Sequence, residues 1–224
     1  MQPLAVGCVA SVVRSTFAVL LVSLALAGTA GSAEAPSTAS AAEPARGDRW
    51  GAAVERGRAT LQGMIDRGEA PGCSVAVAVG GQVVWSEGFG WAENAPTYDP
   101  SHKLPGAGFF ATAEDLARFG AALLRPGMLS EPGRAELFRP VPLADGTATE
   151  FALGFRVKDD DGRRLLHQPG GGIGISAWLF VYPDDDVVVA LLSNVPTGPV
   201  GGATRKAITD AFFAAMSEPE GPGQ

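Results

Sequence analysis

Few residues in this chain combine chemically useful side chains with a suggestive setting. The only histidines are His102 and His167. Neither has a cysteine partner, so a tetrahedral zinc site of cysteine and histidine lacks ligands. His167 opens the run His167-Gln168-Pro169-Gly170-Gly171-Gly172. Glycines of this kind can cradle a phosphate when a helix follows them. Here an apolar, β-rich run follows, so they read as a corner joining two strands. Ser176 lies in Gly174-Ile175-Ser176-Ala177-Trp178, where Trp178 replaces the closing glycine of a nucleophile elbow. It reads as an ordinary strand serine. The runs Asp159-Asp160-Asp161-Gly162 and Asp184-Asp185-Asp186 lack the spaced ligands and closing glutamate of a calcium loop. Both read as solvated hairpin turns. No metal or other cofactor is expected.

Charge and the N-terminal segment narrow the class further. Twenty-four acidic residues against 17 basic give a net charge of −7. Such a chain does not neutralise a phosphate backbone, and nucleic acid is excluded as a partner. Residues 1–35 place Arg14 ahead of the apolar run STFAVLLVSLALAGTA and end in small residues. That order reads as an export signal cleaved after Ala33 or Ala35, and it implies a periplasmic or extracellular protein. The other reading is an uncleaved anchor, the only membrane contact expected. Residues 36–47 are small, polar and proline-containing and read as a disordered linker. One domain is expected over 48–216, with a disordered tail at 217–224. Past the leader Cys73 is the only cysteine, so no internal disulfide forms. Its apolar strand setting predicts a buried, inert thiol.

Several elements must position these residues. Trp50, Val54, Leu61, Met64 and Ile65 recur at helical spacing, and Gly68 and Pro71 end the pattern. Residues 73–79 and 82–90 read as a hairpin around Gly80-Gly81. Residues 93–110 contain three prolines and read as a loop. Thr112 and Asp115 predict an N-capped helix with Leu116, Phe119, Leu123 and Leu124 as its apolar stripe. A short helix is expected after Ser130. Strands follow over 151–157, 163–167, 175–182 and 187–192. A closing helix over 202–216 turns Ile208, Phe212 and Phe213 inward. Trp50, Trp85, Trp91 and Trp178 are expected to pack. The fold class is α+β, an antiparallel β-sheet with the N- and C-terminal helices on one face.

Three segments, PGCSVAVAVGGQVVWSEGFGWA, SHKLPGAGFFATAEDLARFGAALL and LLHQPGGGIGISAWLFVYPDDDVVVALLSN, resemble the serine β-lactamase and D,D-peptidase superfamily in its class C-like branch. They cover most of the chain after Asp48. The resemblance implies a serine hydrolase acting on amides or esters. It implies an S-x-x-K nucleophile motif, a Y-x-N or S-x-N motif, and a K-T-G or H-T-G motif on the strand walling the site. Lys103, Lys158 and Lys206 are preceded three residues earlier by Pro100, Phe155 and Ala203, so there is no S-x-x-K around them. Tyr98 and Tyr182 are followed two residues on by Pro100 and Asp184, so Y-x-N is missing as well. The interval that would hold both motifs shrinks to ENAPTYDP, as if most of the helical subdomain were deleted. No nucleophile is assigned.

The third motif leaves a remnant. An ungapped alignment puts Gln168-Pro169-Gly170 on H-T-G, and a one-residue insertion would put His167 on the basic position instead. His167, Gln168 and Gly170 are therefore the candidate site residues. The resemblance implies a catalytically impaired family member, with a cell-wall peptide or β-lactam-like small molecule as partner. The alternatives are a non-catalytic peptide- or glycan-binding module and an inactive gene remnant. Loss of the helical region predicts a bare apolar patch near Phe109, Phe110 and the helix 112–124, favouring self-association.

Overall fold

The computed structural model describes residues 49–91, 111–172, 174–195 and 200–218. All of them lie in the unit Ser40–Gln224. The leader, the linker, His102, Lys103, Phe109 and Phe110 lie outside the described residues, as does most of the tail.

The element order is α1 (Gly51–Asp66), β1 (Gly72–Val79), β2 (Gln82–Gly90), α2 (Ala113–Leu123), α3 (Glu131–Leu137), β3 (Arg156–Asp160), β4 (Arg163–Gly172), β5 (Ile175–Tyr182), β6 (Val187–Ser193) and α4 (Gly202–Ser217). The strands form one six-stranded sheet in the order β2-β1-β6-β5-β4-β3, with every neighbouring pair antiparallel. The expected α+β architecture is therefore present.

The central strands explain the layering. Successive strand residues face opposite sides of a sheet. On β1, Cys73, Val75 and Val77 join one core with α1 and α4, while Ala76 and Ala78 join a second core with α2. On β6, Val187, Val189 and Leu191 face the first core, and Val188 and Ala190 the second. Both faces are buried, which is why these strands read as continuous apolar runs. In the first core, Trp50 stacks on Phe212 at 5.6 Å between ring centroids, and Trp85 stacks on Phe212 at 6.2 Å. Ile208, Phe212 and Phe213 point inward as expected. Cys73 is buried without a disulfide partner, and burial pushes its thiol up to about 11.

The turns follow their chemistry. Gly80 and Gly81 have φ of 57° and 77°, the pair of positive values that a tight hairpin turn requires. Asp161 and Gly162 repeat this between β3 and β4, at φ of 56° and 83°. Thr112 caps α2 with a complete capping box: its Oγ1 accepts from Asp115 N at 3.0 Å, and Thr112 N donates to Asp115 Oδ2 at 3.2 Å. Ser130 caps α3.

Four expectations need correction. Of the stripe expected on α2, Leu123 is buried and Leu116 and Leu124 pack partly buried against the second core, but Phe119 is 45% exposed. Ala113, Ala117, Gly120 and Ala121 fill the rest of the buried face, where the helix lies close against the sheet. The strand expected from Phe151 begins only at Arg156, since residues 151–155 turn on themselves and leave only the bridge Phe151↔Arg156. The glycines after His167 are not a corner. They continue β4, with Gly170, Gly171 and Gly172 paired to Ala177, Ser176 and Ile175. Trp91 does not pack, being 71% exposed.

The second face is not left bare. Besides α2, Phe138 and Phe155 cover it, meeting edge-on at 6.0 Å. Among the described residues the exposed apolar side chains include Val141, Leu143, Phe151 and Leu153, in the segment between α3 and β3.

Close packing at Gly120 gives a test. A Cβ there would lie 2.7 Å from Val188 Cγ1 and 3.1 Å from Leu179 Cδ1. Gly120→Val should destabilise by about 1–3 kcal/mol through overpacking, despite removing a helical glycine. Urea unfolding should show a lower midpoint at unchanged slope.

Candidate functional site

The candidate residues stand where β4 changes its surroundings. β3 pairs with β4 only from Arg163 to His167. From Gln168 to Gly172 the partner is β5 alone, and no strand among the described residues covers the other side. Pro169 fits there, because proline has no N–H to give to a ladder and is tolerated at an open edge. The open stretch therefore offers unpaired backbone with three consecutive glycines.

His167 and Gln168 do not meet. Adjacent strand residues point to opposite faces. Leu165 belongs to the core under α1 and α4, and Leu166 to the core under α2. By alternation His167 faces the α1/α4 side and Gln168 the α2 side. His167 is half-buried, with its ring 6.1 Å from Trp178 and 6.3 Å from Phe180. Its Nδ1 is buried and has no hydrogen-bond partner. Burial, then the nearby charges of Lys158 and Arg156, hold the imidazole below its ordinary value, so it is neutral at pH 7. Gln168 is exposed, its Nε2 donating to the Pro169 carbonyl at 3.3 Å. Gly170, also exposed, lies on the Gln168 side, where an added Cβ would make only ordinary contact with Ala177 at 3.7 Å. The structure thus places Gln168 and Gly170 on one face and His167 on the other.

Ser176 faces the same side as Trp178 and Phe180. It is 5% exposed, and its Oγ has no hydrogen-bond partner. Among the described residues no histidine, lysine or carboxylate hydrogen-bonds it, so none of them activates the hydroxyl. Among the described residues no group of histidine, cysteine, aspartate and glutamate could hold a metal.

Asp160 corrects the reading of its run as a solvated turn. Arg205, on α4 and only 3% exposed, donates from Nη2 to Asp160 Oδ1 at 2.8 Å and from Nη1 to Asp160 Oδ2. Tyr182 Oη donates to Asp160 Oδ2 at 2.7 Å and accepts from Arg205 Nη1. Burial works against the Asp160 charge, but the hydrogen bonds from Arg205 and Tyr182 outweigh it and hold the carboxyl below its usual value. Burial, then the bond to Asp160, pushes Tyr182 up to about 12. Nothing in the sequence marks Arg205, since its i±4 neighbours offer no carboxylate. The second aspartate run is not simply solvated either, since Asp184, Asp185 and Asp186 pair with Arg164, Arg163 and Arg125.

The family model described as Beta-lactamase matches residues 92–212, more than half of the chain. The chain belongs to the β-lactamase family. Among solved structures, the octameric penicillin-binding protein homologue from Pyrococcus abyssi is similar at 9% identity and a TM-score of 0.54, over 75% of this chain and 78% of that one. That likeness is one of fold. A penicillin binding protein from Bacillus halodurans is 23% identical over 46% of this chain, with a TM-score of 0.36. A class C β-lactamase from Rhodobacter sphaeroides is 15% identical over 48%, with a TM-score of 0.35. This chain spans only 30% and 38% of the lengths of those two proteins. No curated protein sequence matches it.

The buried triad makes a prediction of its own. Arg205→Met leaves the Asp160 carboxylate buried without its cation and should cost about 3–5 kcal/mol. Adding Asp160→Asn to that variant should restore part of the loss, as urea unfolding of both would show. The pH dependence has two limbs. The Asp160 contribution is complete above the usual carboxylate value and is lost as pH falls through its lower folded value. The Tyr182 contribution is complete below about 10 and is lost as pH rises through about 12.

Proposed function

We propose that this chain is a catalytically silent member of the β-lactamase family that acts outside the cytoplasm by holding an extended peptide-like ligand. The observation that carries this reading is the open edge of β4 from Gln168 to Gly172, in a chain without an S-x-x-K motif. Exposed strand edges accept extended peptides by main-chain hydrogen bonding. Three glycines leave the backbone open to close approach, and Gln168 and Gly170 lie together on the α2 side of that edge. A cell-wall peptide or a β-lactam-like small molecule has the extended amide that such an edge can pair.

Covalent chemistry has no support in the side chains. Ser176 is buried, unactivated and on the face away from Gln168. Residual electrostatic effects are all that remain when nucleophile and base are both lost.

Two measurements test the reading. A labelled penicillin and a fluorophosphonate should leave no covalent adduct, and a chromogenic cephalosporin should be hydrolysed no faster than background. Turnover abolished by Ser176→Ala would overturn catalytic silence. Calorimetry with cell-wall peptide fragments should give heat of binding, reduced at least tenfold by Gly170→Val. The fold tolerates that substitution, because the added Cβ meets Ala177 at an ordinary distance of 3.7 Å. Absence of heat with the unaltered protein would sink the binding role.

A further inference from the structure

β3 begins at Arg156, and the residues before it turn aside. Ala152 N donates to the Phe155 carbonyl at 2.8 Å, and Gly154 N donates to the Ala152 carbonyl at 2.9 Å. Their sequence is nevertheless that of a strand: Phe151, Leu153 and Phe155 alternate with Ala152 and Gly154. The bend turns on Gly154, whose φ of 90° suits glycine and strains other residues. In this bent form Phe151 and Leu153 are 55% and 46% exposed.

The bent segment 151–155 has the length of the uncovered stretch of β4, Gln168 to Gly172. Continuing the register from Arg156↔His167 sets Phe155 opposite Gln168, Leu153 opposite Gly170 and Phe151 opposite Gly172. The faces agree. Phe155 and Gln168 already share the α2 side, so Leu153 and Phe151 would lie over glycines that leave them room. The main-chain groups agree as well. Val157 N donates to the Glu150 carbonyl at 2.7 Å on the outer side of β3. Successive strand residues turn their N–H and C=O to alternate sides. Arg156 therefore turns its groups to His167, and by the same alternation Pro169 and Gly171 turn theirs to the open edge. Straightening breaks three bonds, Ala152 to Phe155, Gly154 to Ala152 and Val157 to Glu150. It makes as many: Gly171 N to the Ala152 carbonyl, Ala152 N to the Gly171 carbonyl, and Gly154 N to the Pro169 carbonyl. Two arrangements so evenly matched in bonds are what a switch requires.

We propose that residues 151–155 are an internal strap that straightens onto the β4 edge in this register and closes it, so that an external ligand of the edge must displace it. The bent form leaves the edge open, and the closed form extends β3 to the end of β4. Displacement by a ligand rests on the peptide-holding role above, whereas the closed form itself does not. Gly154 governs the balance, because only the bent form needs its positive φ.

The experiment traps the closed form in the full chain. In the bent form Phe151 bridges to Arg156, and Gly172 lies beyond Arg156's partner His167 by about 17 Å of strand. In the closed form Phe151 and Gly172 face each other at about 4.5 Å between Cα atoms, within reach of a disulfide. A Cβ at Gly172 meets only the exposed Ile175 side chain, at 3.3 Å, which can shift. Under oxidised glutathione, Phe151→Cys/Gly172→Cys should form this disulfide. Mass spectrometry of the linked peptides distinguishes it from bonds to Cys8 or Cys73. Gly154→Ala adds no clash, since nothing lies within 4 Å of its Cβ, but it disfavours the bent form. Added to the double variant, it should speed the cross-link at least fivefold. By calorimetry with cell-wall peptide fragments, the cross-linked protein should bind at least tenfold more weakly than the same protein after reduction, with circular dichroism unchanged. No disulfide, or a rate that Gly154→Ala leaves unaltered, would overturn the strap. Equal binding before and after reduction would overturn its closing of the edge. Absence of heat with the unaltered protein refutes the peptide-holding role alone, and the disulfide still decides whether the strap closes.

Discussion

The β1–β6 pair is buried on both faces, and the remaining architecture answers to that burial. A strand with two buried faces must divide its side chains between two cores. Here the division is unequal in size. Valines and leucines face α1 and α4, with Phe212 and Trp85 filling the layer, while alanines of β1 and β6 face α2. Alanine against alanine lets a helix approach closely, and Gly120 marks the nearest point. The first core is therefore thick and aromatic, and the second is thin. A thin second layer can be sealed by one eleven-residue helix and two phenylalanines. That explains how the sheet retains its cover with so little helical mass on that side.

Periodicity made the strands and the capped helix readable, because both depend on local chemistry. The Gly80-Gly81 turn, the Thr112–Asp115 box and the strand runs of β1, β5 and β6 need no distant partner to be recognised. Of the stripe read on α2 only Phe119 fails, since the small residues Ala113, Ala117, Gly120 and Ala121 take much of the buried face. Which face of a helix packs depends on the thickness of the layer it joins, and the helix's own sequence does not state that. Extension of β4 through its glycines was equally hidden. Glycine has low intrinsic strand preference, and pairing with Ile175–Ala177 overrides it.

The candidate residues were legible as a stretch of strand and not as a geometry. The resemblance implied that the run after His167 lies on the strand walling the family's site. The sequence left His167 and Gln168 as alternatives for one role, and strand alternation separates them by the thickness of the sheet. Arg205 was invisible for a different reason. Its partners, Asp160 and Tyr182, lie on two other elements, 45 and 23 residues away. Only the fold brings a helix, an edge strand and an inner strand to one point.

That convergence bears on how the edge of β4 remains open. β3 is short and, on one side, has no named strand as partner among the described residues; beyond the bridge Phe151↔Arg156 and the bond from Val157 N to Glu150 O at 2.7 Å, its ladder is with β4. The Asp160 carboxylate pins its C-terminal end to α4 and β5, next to the Asp161-Gly162 turn. At its other end Arg156 lies opposite His167, and pairing stops there. An edge strand fixed at one end and ending at His167 leaves the five residues of β4 that follow uncovered but held straight by β5. The buried ion pair thus acts at a distance from the open edge: it fixes where β3 lies, and the length of β3 decides how much of β4 faces solvent.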